Sequence, residues 1–537
     1  STGDGGGFFN AAQGIITING GTHVDTNGGI HGGGIFNAGT LTMNLATASN
    51  NNAHDGGGIF NTGTISGIKS SSINNNQALA PGKLGDGGGI YNSAGAVISS
   101  IDTTTQVNGN KAFWNGGGIF NGGLIVTMIG KTEVQTNTAD HQGGGIYNAG
   151  TINNLGDVIM MNNIGKQNGG ALYNHATGII PLSVGTTIDG NIASGSDGGG
   201  IYNDGFIATL TPKIKNNNAL KGAGVYNNNS IATISGGSID HNNASVDGAG
   251  VYNSLTGTIS NFDTVIVDSN IAAAEGGGVW NQGTISTIAN GSITNNQATF
   301  GGGVLNFGMI DTIDTEILGG NMATNNGGGI FNSTSAGITA GTLNNLHNVS
   351  FLDNVADSDH NDSGNGGAIF NDGMLGIMDA GSIITTNTAY QGGGIYNKFG
   401  GVVTTIDNSH IDDNSAANIG GGVYNDGTIT TINISTINTN TASDGGGGIY
   451  NYTNGTLGTI SSTTIDGNDG ALGNGSGGGG GIFNNGSIDN ITASFITNNS
   501  AVFGGGIANN GLAINLIDST GFDGNHSDNE GGAIYNN

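Results

Sequence analysis

Apolar and polar positions repeat along this chain in a fixed order. The string Gly-Gly-Gly-Ile-Phe-Asn at Gly32–Asn37 returns, with small changes, in twenty copies. They end at Asn10, Asn37, Asn61, Asn92, Asn121, Asn148, Asn174, Asn203, Asn227, Asn253, Asn281, Asn306, Asn332, Asn371, Asn397, Asn425, Asn451, Asn484, Asn509 and Asn536. The nineteen intervals average about 28 residues, a period that marks solenoids and arrays. Between copies lie a β-branched tract, such as Thr284–Ile288, and an apolar-x-x-Asn tract, such as Ile293–Asn296. Ile, Val, Thr and aromatic residues favour strands, and the Gly, Asn, Asp and Ser between them favour turns. No segment keeps a 3.6-residue apolar period, so essentially no helix is expected. Three short strands per repeat predict an all-β fold, a single-stranded parallel β-helix (β-solenoid) of about 19–20 rungs. At about 4.8 Å per rung it would be a rod on the order of 90 Å long.

In stacked rungs a repeated letter becomes a column. The glycines read as a corner with positive φ or close backbone approach, not as a phosphate loop, because no helix or lysine follows. Asn37 and its equivalents, through Asn509, read as an inward ladder of amide hydrogen bonds. The apolar-x-x-Asn residue is expected to form a second ladder. Strand alternation sets the intervening aromatic on the other face. That column is Phe36, Phe60, Tyr91, Phe120, Tyr147, Tyr173, Tyr202, Tyr226, Tyr252, Trp280, Phe331, Phe370, Tyr396, Tyr424, Tyr450 and Phe483, broken by Leu305 and Ala508. It reads as a stabilising stack or as a contact strip for glycans or a neighbouring rod.

Composition narrows the partners. The charge is −28, all nine basic residues are lysines, and there is no cysteine. Nucleic acid and anionic membrane surfaces are rejected for lack of cations, and disulfides and thiolate metal sites are excluded. There is no apolar run of transmembrane length and no signal peptide.

The tetrapeptides Gly366-Gly367-Ala368-Ile369 and Gly531-Gly532-Ala533-Ile534, with Phe351–Asn354 and Phe522–Asn525, resemble the repeats of chlamydial polymorphic outer membrane proteins and related autotransporter passengers. The resemblance implies a right-handed β-helix shown on a cell surface, usually for adhesion. That family's C-terminal membrane barrel is not expected within residues 1–537.

Enzymatic readings find little to stand on. β-Helix pectin lyases would require an arginine or lysine beside calcium-binding aspartates, and polygalacturonases would require paired Asp, Gly-His-Gly and Arg-Ile-Lys. Asp412 and Asp413 are adjacent and so point to opposite faces. Cations fit the acidic chain better. Acids precede the glycines at Asp55 and Asp86 in successive rungs, where they repel unless a cation or proton bridges them. The stretch with Asp357, Asp359, Asn361 and Asp362 begins like a Ca²⁺ loop, although an EF-hand would place Gly at Asp362 and Glu at Ala368.

The expectation is a single continuous β-helix over residues 1–537, with loop insertions near 333–365, 452–478 and 77–86. It is expected to be non-enzymatic, extracellular or at the cell surface, and to need no cofactor beyond possible Ca²⁺. The chain starts and ends inside a repeat with no cap, which favours self-association end to end or side by side. It would act as a fibre subunit, stalk or adhesin meeting glycans or a neighbouring cell. A glycan-binding or glycan-active β-helix is the alternative.

Overall fold

In the computed structural model, residues 3–79, 85–334, 341–470 and 477–537 are described. They fall into two units, Ser1–Val265 and Ile266–Asn537. Each unit is all-β, with no helix among the described residues. Ten Gly-Gly-Gly-motif strands lie in each unit, Phe8–Asn10 to Val251–Asn253 in the first and Val279–Asn281 to Ile534–Asn536 in the second. Within each unit successive copies pair in parallel, letter over letter, as in Ile90↔Ile119, Tyr91↔Phe120 and Asn92↔Asn121. Both units are therefore parallel β-solenoids.

One turn shows how the sequence builds the coil. It contains the strands Ile90–Asn92, Val97–Asp102, Gln106–Asn108 and Lys111–Ala112. Its inward side chains are Ile90, Ile98, Ile101, Val107 and Ala112, with the polar Asn92, Thr105 and Asn110, all at most 1% exposed. Each buried Ile or Val contributes about 2 kcal/mol by leaving water. Stacking neighbours closes the core, so a chain with only 35% hydrophobic residues can still bury a continuous one.

Three expectations change. The β-branched tract does not alternate. Its inward residues are three apart, Ile98 over Ile125 and Ile101 over Met128, and the two residues between face out, so the strand bends around the coil. The apolar-x-x-Asn tract ends before a further two-residue strand, so the turn holds four extended stretches rather than three. The range 333–365 is not one insertion. It carries the regular strands Thr342–His347 and Ser350–Leu352, in register with the rung before. Likewise 452–478 carries Thr456–Ser461 and Thr464–Asp466, and Gln77–Ala78 opens the third range. Within these ranges, residues 80–84, 335–340 and 471–476 lie outside the described residues.

The corners explain the motif letters. Gly56 has φ 60°, a conformation in which a side chain is strained. A Cβ on Gly57 would lie 2.5 Å from Gly88 O, and one on Gly58 would lie 2.6 Å from Gly89 O. In Ile73–Asn76 the apolar residue points in, Asn74 points out, Asn75 turns left-handed at φ 55°, and Asn76 points in. The left-handed position takes Asn, Gly, Asp, Thr, Ser or His, as at Asn162, Gly190, Asp353, Thr386, Ser269 and His241.

Candidate functional site

The side chains able to do chemistry are arranged as columns, and most of their polar atoms are used between rungs. In the motif ladder each Asn Nδ2 donates to the Oδ1 of the next, at 2.7–2.9 Å from Asn10 to Asn253 in the first unit. The same range runs from Asn281 to Asn536 in the second. The second ladder is tied more tightly. Asn110 Oδ1 accepts from both Nδ2 and the backbone N of Asn76, at 3.0 and 2.9 Å, while Asn110 Nδ2 donates to Asn137 Oδ1 and to Ile73 O. These buried amides are satisfied, as a low-dielectric interior requires.

Sequence reasoning missed a third polar column. At the corner before the third strand, Ser409, Ser435, Thr463 and Ser494 are buried, and the backbone N–H of Ser409 donates to Ser435 Oγ at 3.2 Å. Its signal was a recurrent Ser or Thr two residues before the inward apolar residue. Glu316 occupies the same column. Its buried Oε2 accepts from the N–H of Gly291, the residue one rung earlier, at 2.8 Å.

The aromatic column forms as a stack. From Phe9 to Tyr252 ten rings lie face to face, with centroids 4.6–5.6 Å apart and planes 3–14° from parallel. In the second unit Leu305 separates Trp280 from Phe331, and Phe307 meets both rings edge-on. Stacking resumes from Phe331 through Phe370, Tyr396, Tyr424 and Tyr450 to Phe483. A sugar stacks on the face of a ring, and within each stack the faces are taken by neighbouring rings; edges and hydroxyls remain. Several rings, among them Tyr173 and Tyr424, are buried outright. Burial pushes the phenols of Tyr91, Tyr147 and Tyr450 up to about 12 and those of Tyr202 and Tyr226 higher still. Tyr173 Oη donates to Asp204 at 2.5 Å.

The acids before the glycines act as backbone acceptors. Asp55 Oδ1 takes the N–H of Asp86 at 3.0 Å, and Asp86 Oδ1 takes that of Asn115 at 2.8 Å. Asn115, Asn168 and Asn326 make the same contact to the following rung through an amide oxygen. Burial, with the charge of Asp55 adding to it, raises the carboxyl of Asp86 to about 6 against the pull of the Asn115 N–H. His31 sits 2.9 Å from Asp4 and 3.7 Å from Asp55.

The Asp357–Asp362 stretch closes on itself. Asp357 is buried and its Oδ1 accepts from Asn361 N at 2.9 Å, while Asn361 Nδ2 donates to Asp359 at 2.9 Å. Ser363 Oγ donates to Asn361. Asp359 and Asp362 face solvent. Among the described residues no group of three or more His, Asp or Glu is placed to hold a metal ion. A concavity of about 460 Å³ is lined by Gly130, Lys131, Asp157, Ile159, Gly185, Thr187 and Lys213. It brings together one carboxylate and two lysines, not the pair of carboxylates that glycoside hydrolysis uses. No helix of the described residues is long and apolar enough to cross a membrane, which says nothing of membrane β-barrels.

Stacked amide ladders, glycine corners and a ring column define a repeat protein of the β-solenoid class. Within it, residues 348–372 and 522–537 match the model of the Chlamydia polymorphic membrane protein (Chlamydia_PMP) repeat. No curated protein and no solved structure matches the chain. The two matched stretches contain the copies in which Phe351 or Phe522 fills the inward apolar position and Ala368 or Ala533 the third glycine position. Most other rungs carry Ile or Val and Gly in those columns, on the same backbone path.

Proposed function

We propose that the chain is a non-enzymatic β-solenoid displayed outside a cell, in the manner of an autotransporter passenger, and that its work is adhesive or mechanical. One observation carries this reading. The amides, corner carboxylates and aromatic faces that could have served catalysis or ligand binding are committed to joining one rung to the next. The match to the polymorphic membrane protein repeat at two rungs supports the surface setting. Self-association, end to end or side by side, would turn such units into a fibre, whereas an adhesin or stalk would act singly. Glycan binding is the weaker alternative, because the stacked rings offer edges where sugars need faces.

Two measurements on the natural source test this. Protease treatment of intact cells should remove the chain, and a chain digested only after lysis would refute display. Electron microscopy of the isolated protein separates the mechanical roles: filaments mean a fibre subunit, single particles an adhesin or stalk.

A further inference from the structure

The two units differ sharply in charge. Residues 266–537 carry 23 acidic residues and one lysine, net −22, whereas residues 1–265 carry 14 and eight, net −6. That single lysine, Lys398, is held 2.8 Å from Asp372. The second unit therefore presents negative charge with almost no cation of its own to answer it.

The same unit exposes large apolar side chains in register. Met309 stacks on Thr342, Thr342 on Met374 and Met374 on Val402. Across the bend, Ile317 stacks on Ser350 and Ser350 on Ile383. Met309, Met374, Val402, Ile317 and Ile383 are between 37% and 45% exposed. Beyond the bend and before Ile317 runs a third column, in which Asp314 stacks on His347 and His347 on Asp379; His347 Nδ1 lies 2.7 Å from Asp379 Oδ1, which leaves the other carboxylate oxygen of Asp379 for a partner. Asp407 follows in the next rung, at the end of the strand Val402–Asp407. Four rungs span about 15 Å along the coil, the length of roughly three helical turns.

Apolar columns flanking an acidic one suit a partner that pairs methylene and cationic surface. We infer that the outward surface carrying Met309, Met374 and Val402 before the strand's bend, and Asp314, Asp379, Ile317 and Ile383 beyond it, docks a cationic amphipathic polypeptide segment that follows the bend. Its lysine or arginine side chains would lie over the acidic column, and its large apolar side chains over the methionines and isoleucines. Charge complementarity selects this occupant: an anionic lipid surface is repelled, and a second copy of this acidic face repels itself. The inference supplies the partner chemistry of the adhesive reading and rests on that reading only for its biological setting.

The test uses the purified full chain and two synthetic peptides, one repeating Leu-Lys-Lys-Leu and one repeating Leu-Glu-Glu-Leu. Binding is followed by calorimetry. The lysine peptide should bind, weakening at least about tenfold between low salt and about 0.5 M salt, while the glutamate peptide should not bind. Met374→Thr with Ile383→Ser copies the outward residues of the neighbouring rung, Thr342 and Ser350, so the coil is kept. This pair should cost about tenfold or more in affinity. Asp379→Asn with Asp407→Asn should weaken binding and flatten its salt dependence. Equal binding of both peptides, unchanged binding by both variants, or tighter binding to zwitterionic phosphatidylcholine vesicles than to the lysine peptide would overturn the inference. Because the assay is done in solution, its failure leaves surface display standing, and failure of display in the protease assay leaves a positive binding result standing.

Discussion

Replacing Asp86 by asparagine should stabilise the first unit, and only above acid pH. The carboxyl of Asp86 is raised from 3.8 to about 6, chiefly by burial, then by the charge of Asp55, against the Asn115 N–H that favours the anion. The folded chain thus holds this proton more tightly than the unfolded chain does. Its stabilising contribution is complete below pH about 4, falls as pH rises through 6, and is lost above about 7. Two pKa units at 1.36 kcal/mol each set the loss at about 3 kcal/mol. An asparagine keeps the acceptor for the Asn115 N–H, as Asn168 does for Asp197 at 3.2 Å in a later rung of the same unit. The preference of that N–H for the anion is already contained in the raised value, so nothing further is subtracted. The variant should therefore gain about 3 kcal/mol over the parent at pH 8 and nothing at pH 4. Hydrogen exchange at the amides of Asp86 and Asn115, compared between the two proteins at each pH, reads the difference locally. A difference that stays constant from pH 4 to 8, or a variant that opens more readily at pH 8, would refute the reasoning.

Removing one member of the motif ladder, Asn148→Ala, leaves the Asn121 amide and the Asn174 carbonyl facing a void, and should cost about 2–5 kcal/mol in urea denaturation. A loss under about 0.5 kcal/mol would mean that the ladder is not a stabilising element. Phenols raised by burial bind their protons more tightly when folded, so the stability they contribute is intact below pH about 10 and lost as pH climbs toward 12. Tyrosine absorbance should titrate together with unfolding there, and a folded chain titrating near the ordinary value of about 10 would contradict the buried stack. Millimolar Ca²⁺ should leave the melting temperature unchanged, since the oxygens of Asp357 and Asp359 are engaged by Asn361; a rise that grows with Ca²⁺ would restore the loop as a site.

Parts of this molecule were legible in the letters because translation by one rung turns identity into a column. Asn37 over Asn61 and Phe36 over Phe60 needed only the period and the two-residue alternation of a strand. The bend within Val97–Asp102 was hidden because alternation assumes a straight strand, and a corner cancels it. The left-handed residue in apolar-x-x-Asn was hidden because Thr136 and Thr386 stand where turn propensity would ask for Gly or Asn. Inward hydrogen bonds of the following Asn offset the strain, and those bonds appear only once rungs are stacked. The acids at the glycine corner were read as charges seeking a cation, although backbone N–H groups one rung on were already their donors.

Inside and outside obey different rules in such a coil. An inward position answers to the residues above and below it, so one altered letter disturbs two neighbours. All twenty motif copies accordingly end in Asn. An outward position answers mainly to solvent. The column that begins the long strand reads Thr284, Met309, Thr342, Met374, Val402 and Thr428 without loss of register. Whatever distinguishes one stretch of the solenoid from another must therefore be written outward, where the ladders set no constraint. The charge contrast between the units and the methionine and isoleucine columns are written there. A recognition surface on this scaffold is a local choice of outward letters, and it can change without touching the columns that hold the coil together.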